Sequence, residues 1–97
     1  QLDAIAPGIP YALKITDHEL TWQSPDYENE TNRARFYVIY KYNIKEDQRI
    51  KHPENILEIT GETSISIKKL DAPGVYRISA LDRFNNESQL SEKIYIK

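Results

Sequence analysis

Two histidines, His18 and His52, stand 34 residues apart, one in an early turn and one beside Pro53. Acid–base catalysis needs such a group held by partners in a water-poor cleft. Both histidines read instead as solvated loop residues. The acidic pattern Asp26-x-Glu28-x-Glu30 resembles the opening of a calcium loop. It fails at the sixth position, Thr31, where the loop needs glycine, and at the twelfth, Tyr37, where it needs a bidentate carboxylate. The three glycines are isolated, so no loop can cradle a phosphate. There is no cysteine, which excludes disulfides and thiolate-bound metals. No catalytic residue, metal ligand or cofactor is therefore expected, and the chain reads as no enzyme by itself.

Composition narrows the partners. Net charge is -2, with 13 basic and 15 acidic residues interspersed, so no basic field favours nucleic acid or an anionic membrane. No apolar run approaches the roughly 20 residues of a membrane-spanning helix. The opening residues, Gln1 to Pro7, have neither a basic start nor an apolar core, so no signal peptide is visible. The absence of Met suggests a fragment of a longer protein. The chain is expected to be one domain, 1–97, with residues 1 to about 9 linking it to a preceding domain.

Seven segments of period two must position whatever function exists. They are Tyr11–Ile15, Glu19–Gln23, Arg35–Tyr42, Ile56–Thr60, Ser64–Lys68, Val75–Leu81 and Lys93–Ile96. In the first, Leu13 and Ile15 point inward. Only the connection from Asn43 to Asn55 is long; its Lys45–Arg49 stretch has room for one helical turn before Pro53. Leu70-Asp-Ala-Pro-Gly-Val-Tyr76 has the form of a tyrosine corner, in which a Tyr at the start of a late strand bonds back to the chain just upstream. Short strands, turn punctuation and this corner predict an all-β, two-sheet sandwich. Trp22, in phase with Leu20, fills the core rather than stacking on sugar. Val38, Tyr40, Leu70 and Tyr76 join it there.

The order of these pieces carries a resemblance. One Trp in the second strand, Phe36-x-Val38-x-Tyr40 in the third, and Ile65-x-Ile67-x-x-Leu70 leading to Tyr76 together resemble a fibronectin type III domain over almost the whole chain. The resemblance implies an immunoglobulin-like sandwich of 3+4 strands: first, second and fifth in one sheet, third, fourth, sixth and seventh in the other. More narrowly, Asn55–Gly61 and Ala80–Ser88 resemble the C-terminal fibronectin III-like module of bacterial, Bacteroides-type family 10-like glycosyl hydrolases. That likeness implies a non-catalytic accessory domain of a secreted or envelope-anchored protein. It would be extracytoplasmic, with the catalytic domain of the same chain as neighbour and polysaccharide as a further partner.

Surface candidates follow from alternation. With Phe36, Val38 and Tyr40 facing in, Tyr37, Ile39 and Lys41 face out. Val75, Arg77, Ser79 and Leu81 face out from the sixth strand and Tyr95 from the seventh. The sixth strand is expected between the third and seventh, so these side chains make one patch with Arg77 at its middle. Three readings stand: cross-strand pairs that stiffen the sheet, a face packed on a neighbouring domain, or a glycan platform using Tyr37, Tyr95 and Arg77. The Asp82–Ser88 connection reads either as a rigid turn, with Arg83 paired to Glu87 or Asp82, or as a docking loop presenting Arg83 and Phe84. The alternatives to an accessory role are a carbohydrate-binding module and a protein-interaction module of the adhesion or receptor type, although no Arg-Gly-Asp tripeptide supports adhesion.

Overall fold

The structure, a computed structural model, describes residues 6–25 and 33–97. The acidic Asp26–Glu30 pattern lies outside the described residues. Seven strands form in chain order: β1 (Tyr11–Thr16), β2 (Glu19–Gln23), β3 (Phe36–Tyr42), β4 (Ile56–Thr60), β5 (Ser64–Ser66), β6 (Gly74–Leu81) and β7 (Ile94–Ile96). They make an antiparallel three-stranded sheet, β1-β2-β5, and an antiparallel four-stranded sheet, β4-β3-β6-β7. This is the expected 3+4 sandwich, with β6 between β3 and β7.

The corner that anchors β6 is formed. Tyr76 Oη donates to the Leu70 carbonyl at 2.8 Å, with both residues fully buried. Burial, with the nearby Asp71 carboxylate adding to it, raises the Tyr76 pKa. The bond settles the phase of β6: Tyr76, Ile78 and Ala80 face the three-stranded sheet, and Val75, Arg77, Ser79 and Leu81 face away. Gly74 sits where Lys41 crosses the sheet, and a Cβ there would stand 2.9 Å from Lys41 Cε. Lys41 Nζ continues to the Asp71 carbonyl and stands 3.5 Å from Asp71 Oδ2.

Strand β3 has the opposite phase to the expected one. Residues paired across β3 and β6 share a face, and the register is Tyr37↔Ala80, Ile39↔Ile78 and Lys41↔Tyr76. Tyr37 and Ile39 are thus core residues, 5% and 0% exposed. Tyr37 meets Trp22 edge to face at 5.6 Å. Trp22 itself is 2% exposed in the same cluster as Leu20, Ile65, Leu70 and Tyr76. Val38, Tyr40 and Tyr42 lie on the outer face, where with Val75 they form a second buried cluster against Leu81 and Leu90. Phe36, expected inside, is 49% exposed on that outer face.

Smaller departures have local causes. Strand β5 stops at Ser66, whose hydroxyl accepts from Lys68 N at 3.3 Å and starts a 3-10 turn over Ile67–Leu70 that carries Leu70 into the core. In β1 an irregular register between Tyr11 and Lys14, with Ala12 at φ 57°, sets Leu13 against the core while Ile15 stays 43% exposed at the sheet edge. No helical turn forms over Lys45–Arg49. Asn43 and Asp47 accept the Lys45 and Arg49 amides at 3.3 and 3.0 Å, closing tight turns instead. The 3-10 turn of this connection lies at Pro53–Asn55, where Pro takes a first-turn position that needs no N–H.

Candidate functional site

The outer face of the four-stranded sheet holds Tyr40, Tyr42, Arg77 and Ser79, and two of the chain's own segments close on it, one from above and one along the β6 edge. From one side, the Asn43–Asn55 connection folds back over the strands: Tyr42 Oη donates to the Ile50 carbonyl at 2.8 Å. From the other, residues 87–91 run along β6 without forming a regular strand. Ser88 N donates to Ala80 O and Ser91 N to Ile78 O, each at 2.8 Å. In return Ala80 N donates to Ser88 Oγ and Ile78 N to Ser91 Oγ, each at 2.9 Å. The serine hydroxyls stand in for the carbonyls that a strand would have offered, and they pass their own protons to Gln89 O and Glu92 O. Both serines are buried, 2% and 0% exposed.

Arg77 clasps the two segments together. Its Nε donates to Ser91 O at 2.7 Å and its Nη1 to Gln48 O at 2.9 Å. Lys51 adds a second stitch, Nζ to Ser88 O at 2.7 Å. The expected patch around Arg77 is therefore closed at its centre by the protein itself. Tyr37 and Ile39, expected within it, lie on the other side of the sheet.

One arrangement looks reactive. Glu87 Oε2 accepts from Tyr40 Oη at 2.6 Å and from Ser79 Oγ at 2.5 Å, with Lys51 Nζ 4.0 Å from Oε1. A serine, a tyrosine, a lysine and a carboxylate in one network could activate a nucleophile if a substrate reached it. Ser79 is 0% exposed and Tyr40 3%, so none does. The network satisfies groups that would otherwise be buried unpaired. Burial first, then the Glu87 carboxylate that holds its proton, pushes the Tyr40 pKa far above the usual phenol range. Tyr42 is raised too by burial, an effect the nearby Arg77 charge opposes. Tyr40 and Tyr42 stack at 6.3 Å and 18° between ring planes.

The Asp82–Ser88 connection is a self-satisfied turn. Asp82, 1% exposed, accepts from Phe84 N at 2.8 Å and Asn86 N at 2.9 Å through Oδ1, and from Asn86 Nδ2 at 3.0 Å through Oδ2. Asn85 takes the left-handed conformation that closes it, φ 64°. The expected pairing of Arg83 with Glu87 or Asp82 does not form. Both carboxylates are turned to other donors, and Arg83 instead lies over the Phe84 ring at 5.0 Å. Phe84 is 44% exposed.

What stays open is an apolar shoulder. Phe36 pairs with half-buried Leu81, Ile59 pairs with Val38, and Phe84 follows Leu81 by three residues. Ile59 is 52% exposed. Tyr95 is equally exposed at the far edge, beside an open cleft of about 360 Å³ that it shares with Lys41, Glu46 and Gly74. His18 and His52 are exposed in their turns. Among the described residues no group of His, Asp and Glu is arranged to hold a metal. No helix among them is long and apolar enough to cross a membrane.

No family model matches the sequence. No curated protein matches it either. Solved structures do. The crystal structure of domains A168-A170 from titin is similar at a TM-score of 0.60 and 19% identity, covering 93% of this chain and 32% of that one. Titin kinase with its flanking domains is similar at 0.61 and 20%, covering 96% of this chain and 18% of that one. The fold is an immunoglobulin-like, fibronectin type III-like sandwich. The chain spans about a third of the first structure and less than a fifth of the second.

Proposed function

We propose that this sandwich is a non-catalytic accessory domain of a longer, secreted or envelope-anchored bacterial glycosyl hydrolase-like protein. It packs on the catalytic domain and fixes its position. The observation that carries the reading is the contrast on one sheet face. The centre is crossed by the chain's own loop and bordered by its serine segment, whereas Phe36 and Ile59 on the outer face and Phe84 in the following turn remain exposed. Exposed apolar side chains beside an otherwise satisfied surface suit contact with another domain. Interfaces between domains of one chain typically bury roughly 600–1,500 Å². The likeness of Asn55–Gly61 and Ala80–Ser88 to hydrolase-associated modules supplies the kind of neighbour.

The test compares Phe36→Ser with Phe84→Ser in the full-length gene product and in the 97-residue domain. The reading expects the catalytic domain of the full-length product to melt several degrees lower while the isolated domain keeps its midpoint. Equal melting of the full-length forms contradicts it. A glycan platform is the second reading, favoured by half-exposed Tyr95 over its cleft. Saturable sugar binding that Tyr95→Ala abolishes would establish it.

A further inference from the structure

We infer that the seam between the Asn43–Asn55 loop and the serine segment is a binding site for an oxyanion, a sulfate or phosphate group. The seam opens into a cleft of about 320 Å³ lined by Arg49, Lys51, Arg77, Gln89 and Leu90. Three of these carry positive charge, Gln89 can donate through its amide, and none is a carboxylate. The one-signed charge is confined to this cleft; on its other side Arg77 borders a larger cleft that holds Glu46, Asp47 and Glu92.

Arg77 is the organising cation. Two of its nitrogens are fixed by backbone carbonyls, so its plane is set before any ligand arrives. Carbonyl dipoles do not neutralise a guanidinium. Among the described residues no carboxylate stands within ion-pair distance of it. A half-buried guanidinium with no direct ion pair favours an anion taken from solution. The other two cations are partly engaged. Arg49 holds Asp47 at 3.0 and 3.1 Å, and Lys51 stands 4.0 Å from Glu87. Neither carboxylate lines this cleft. Its size sits at the lower limit of small-ligand sites, roughly 300–1,000 Å³, which suits an oxyanion together with a small carrier. The group's source is either free inorganic anion or an ester on an acidic glycan.

The test follows backbone amide shifts during titration with sodium sulfate, against sodium chloride at matched ionic strength. The expected result is saturable movement with sulfate, with a Kd in the millimolar range, confined to residues 49–51, 77 and 89–90 and absent with chloride. The double variant Arg49→Gln with Lys51→Gln keeps both Arg77 bonds and loses the Lys51 stitch to Ser88. It should bind sulfate about tenfold more weakly or worse, with the unfolding midpoint within a few degrees. A sulfated oligosaccharide and its desulfated counterpart form the second arm. Tighter binding of the sulfated sugar than of inorganic sulfate assigns the group to a glycan, and equal or weaker binding assigns it to free anion. Non-saturating shifts, shifts matched by chloride, shifts scattered over other surfaces, or full affinity in the double variant would each overturn the site.

Discussion

Removing the Ser91 hydroxyl should be costly out of proportion to its size. Ser91→Ala deletes one oxygen that accepts from Ile78 N at 2.9 Å and donates to Glu92 O at 2.8 Å. The Ile78 amide is then left buried with no acceptor, because Ile78 and Ser91 are both 0% exposed. A buried donor without a partner costs about 1–3 kcal/mol. Ser88→Ala repeats the damage at Ala80 N, so the double variant should lose about 2–6 kcal/mol. A domain of this length is stable by about 5–15 kcal/mol, so the double variant approaches the edge of folding. Urea unfolding gives the free energies, and amide exchange locates them: the Ile78 and Ala80 amides should lose protection before others in β6. Single-variant losses below about 0.5 kcal/mol, with exchange at both amides unchanged, would refute the claim that these hydroxyls act as ladder acceptors.

Three other outcomes are expected. Tyr76→Phe strands the Leu70 carbonyl and should cost about 1–3 kcal/mol, lowering the melting temperature by about 4–8 °C per kcal/mol for a domain of this size; calorimetry reads it directly. Ile39→Ala should cost about 2–5 kcal/mol, whereas Ile59→Ala, half exposed on the same sheet, should cost under about 1 kcal/mol in urea titrations of the isolated domain. Alkaline stability should fall. Tyr40, Tyr42 and Tyr76 all have pKa values raised on folding, so the unfolded chain releases their protons first. Their contribution is complete below the ordinary phenol value of 10.0 and drains away as pH climbs above it. The slope reaches about 1.4 kcal/mol per pH unit for each tyrosine still protonated in the fold. Unfolding midpoints measured from pH 8 to 12 test this, and a flat profile would contradict it.

The corner was legible because its parts are local: a leucine, a turn and a tyrosine six residues on, whose bond depends on little beyond that segment. The division of the strands into sheets of three and four came from the fibronectin type III resemblance. The phase of β3 was not legible from alternation, since Phe36, Val38, Tyr40 and Tyr42 on one face compete with Tyr37 and Ile39 on the other. Lys41 misled further. It shares the inner phase, but it lies at the end of the sheet, where its stem crosses Gly74 and its amine reaches Asp71. A strand apolar on both faces is itself a signal that both faces are covered. The cover was hidden in two polar segments, Asn43–Asn55 and Glu87–Ser91, whose roles rest on bonds to residues tens of positions away, such as Arg77 to Gln48 and Lys51 to Ser88. Arg77 was singled out as the middle of a patch, but its two backbone acceptors leave no trace in the order of residues.

Because the chain has no cysteine, single thiols placed along β3 report burial without interference. Labelling of Phe36→Cys, Val38→Cys and Ile39→Cys with a maleimide in native buffer asks whether both faces of the four-stranded sheet are covered. Position 36, now 49% exposed, should react freely, while positions 38 and 39, at 3% and 0%, should both react at least about 100-fold more slowly. Fast labelling at 38 beside protection at 39 would mean that the outer face lies open to solvent and that the loop and serine segment do not cover it. Fast labelling at 39 would instead contradict the packing of the two sheets.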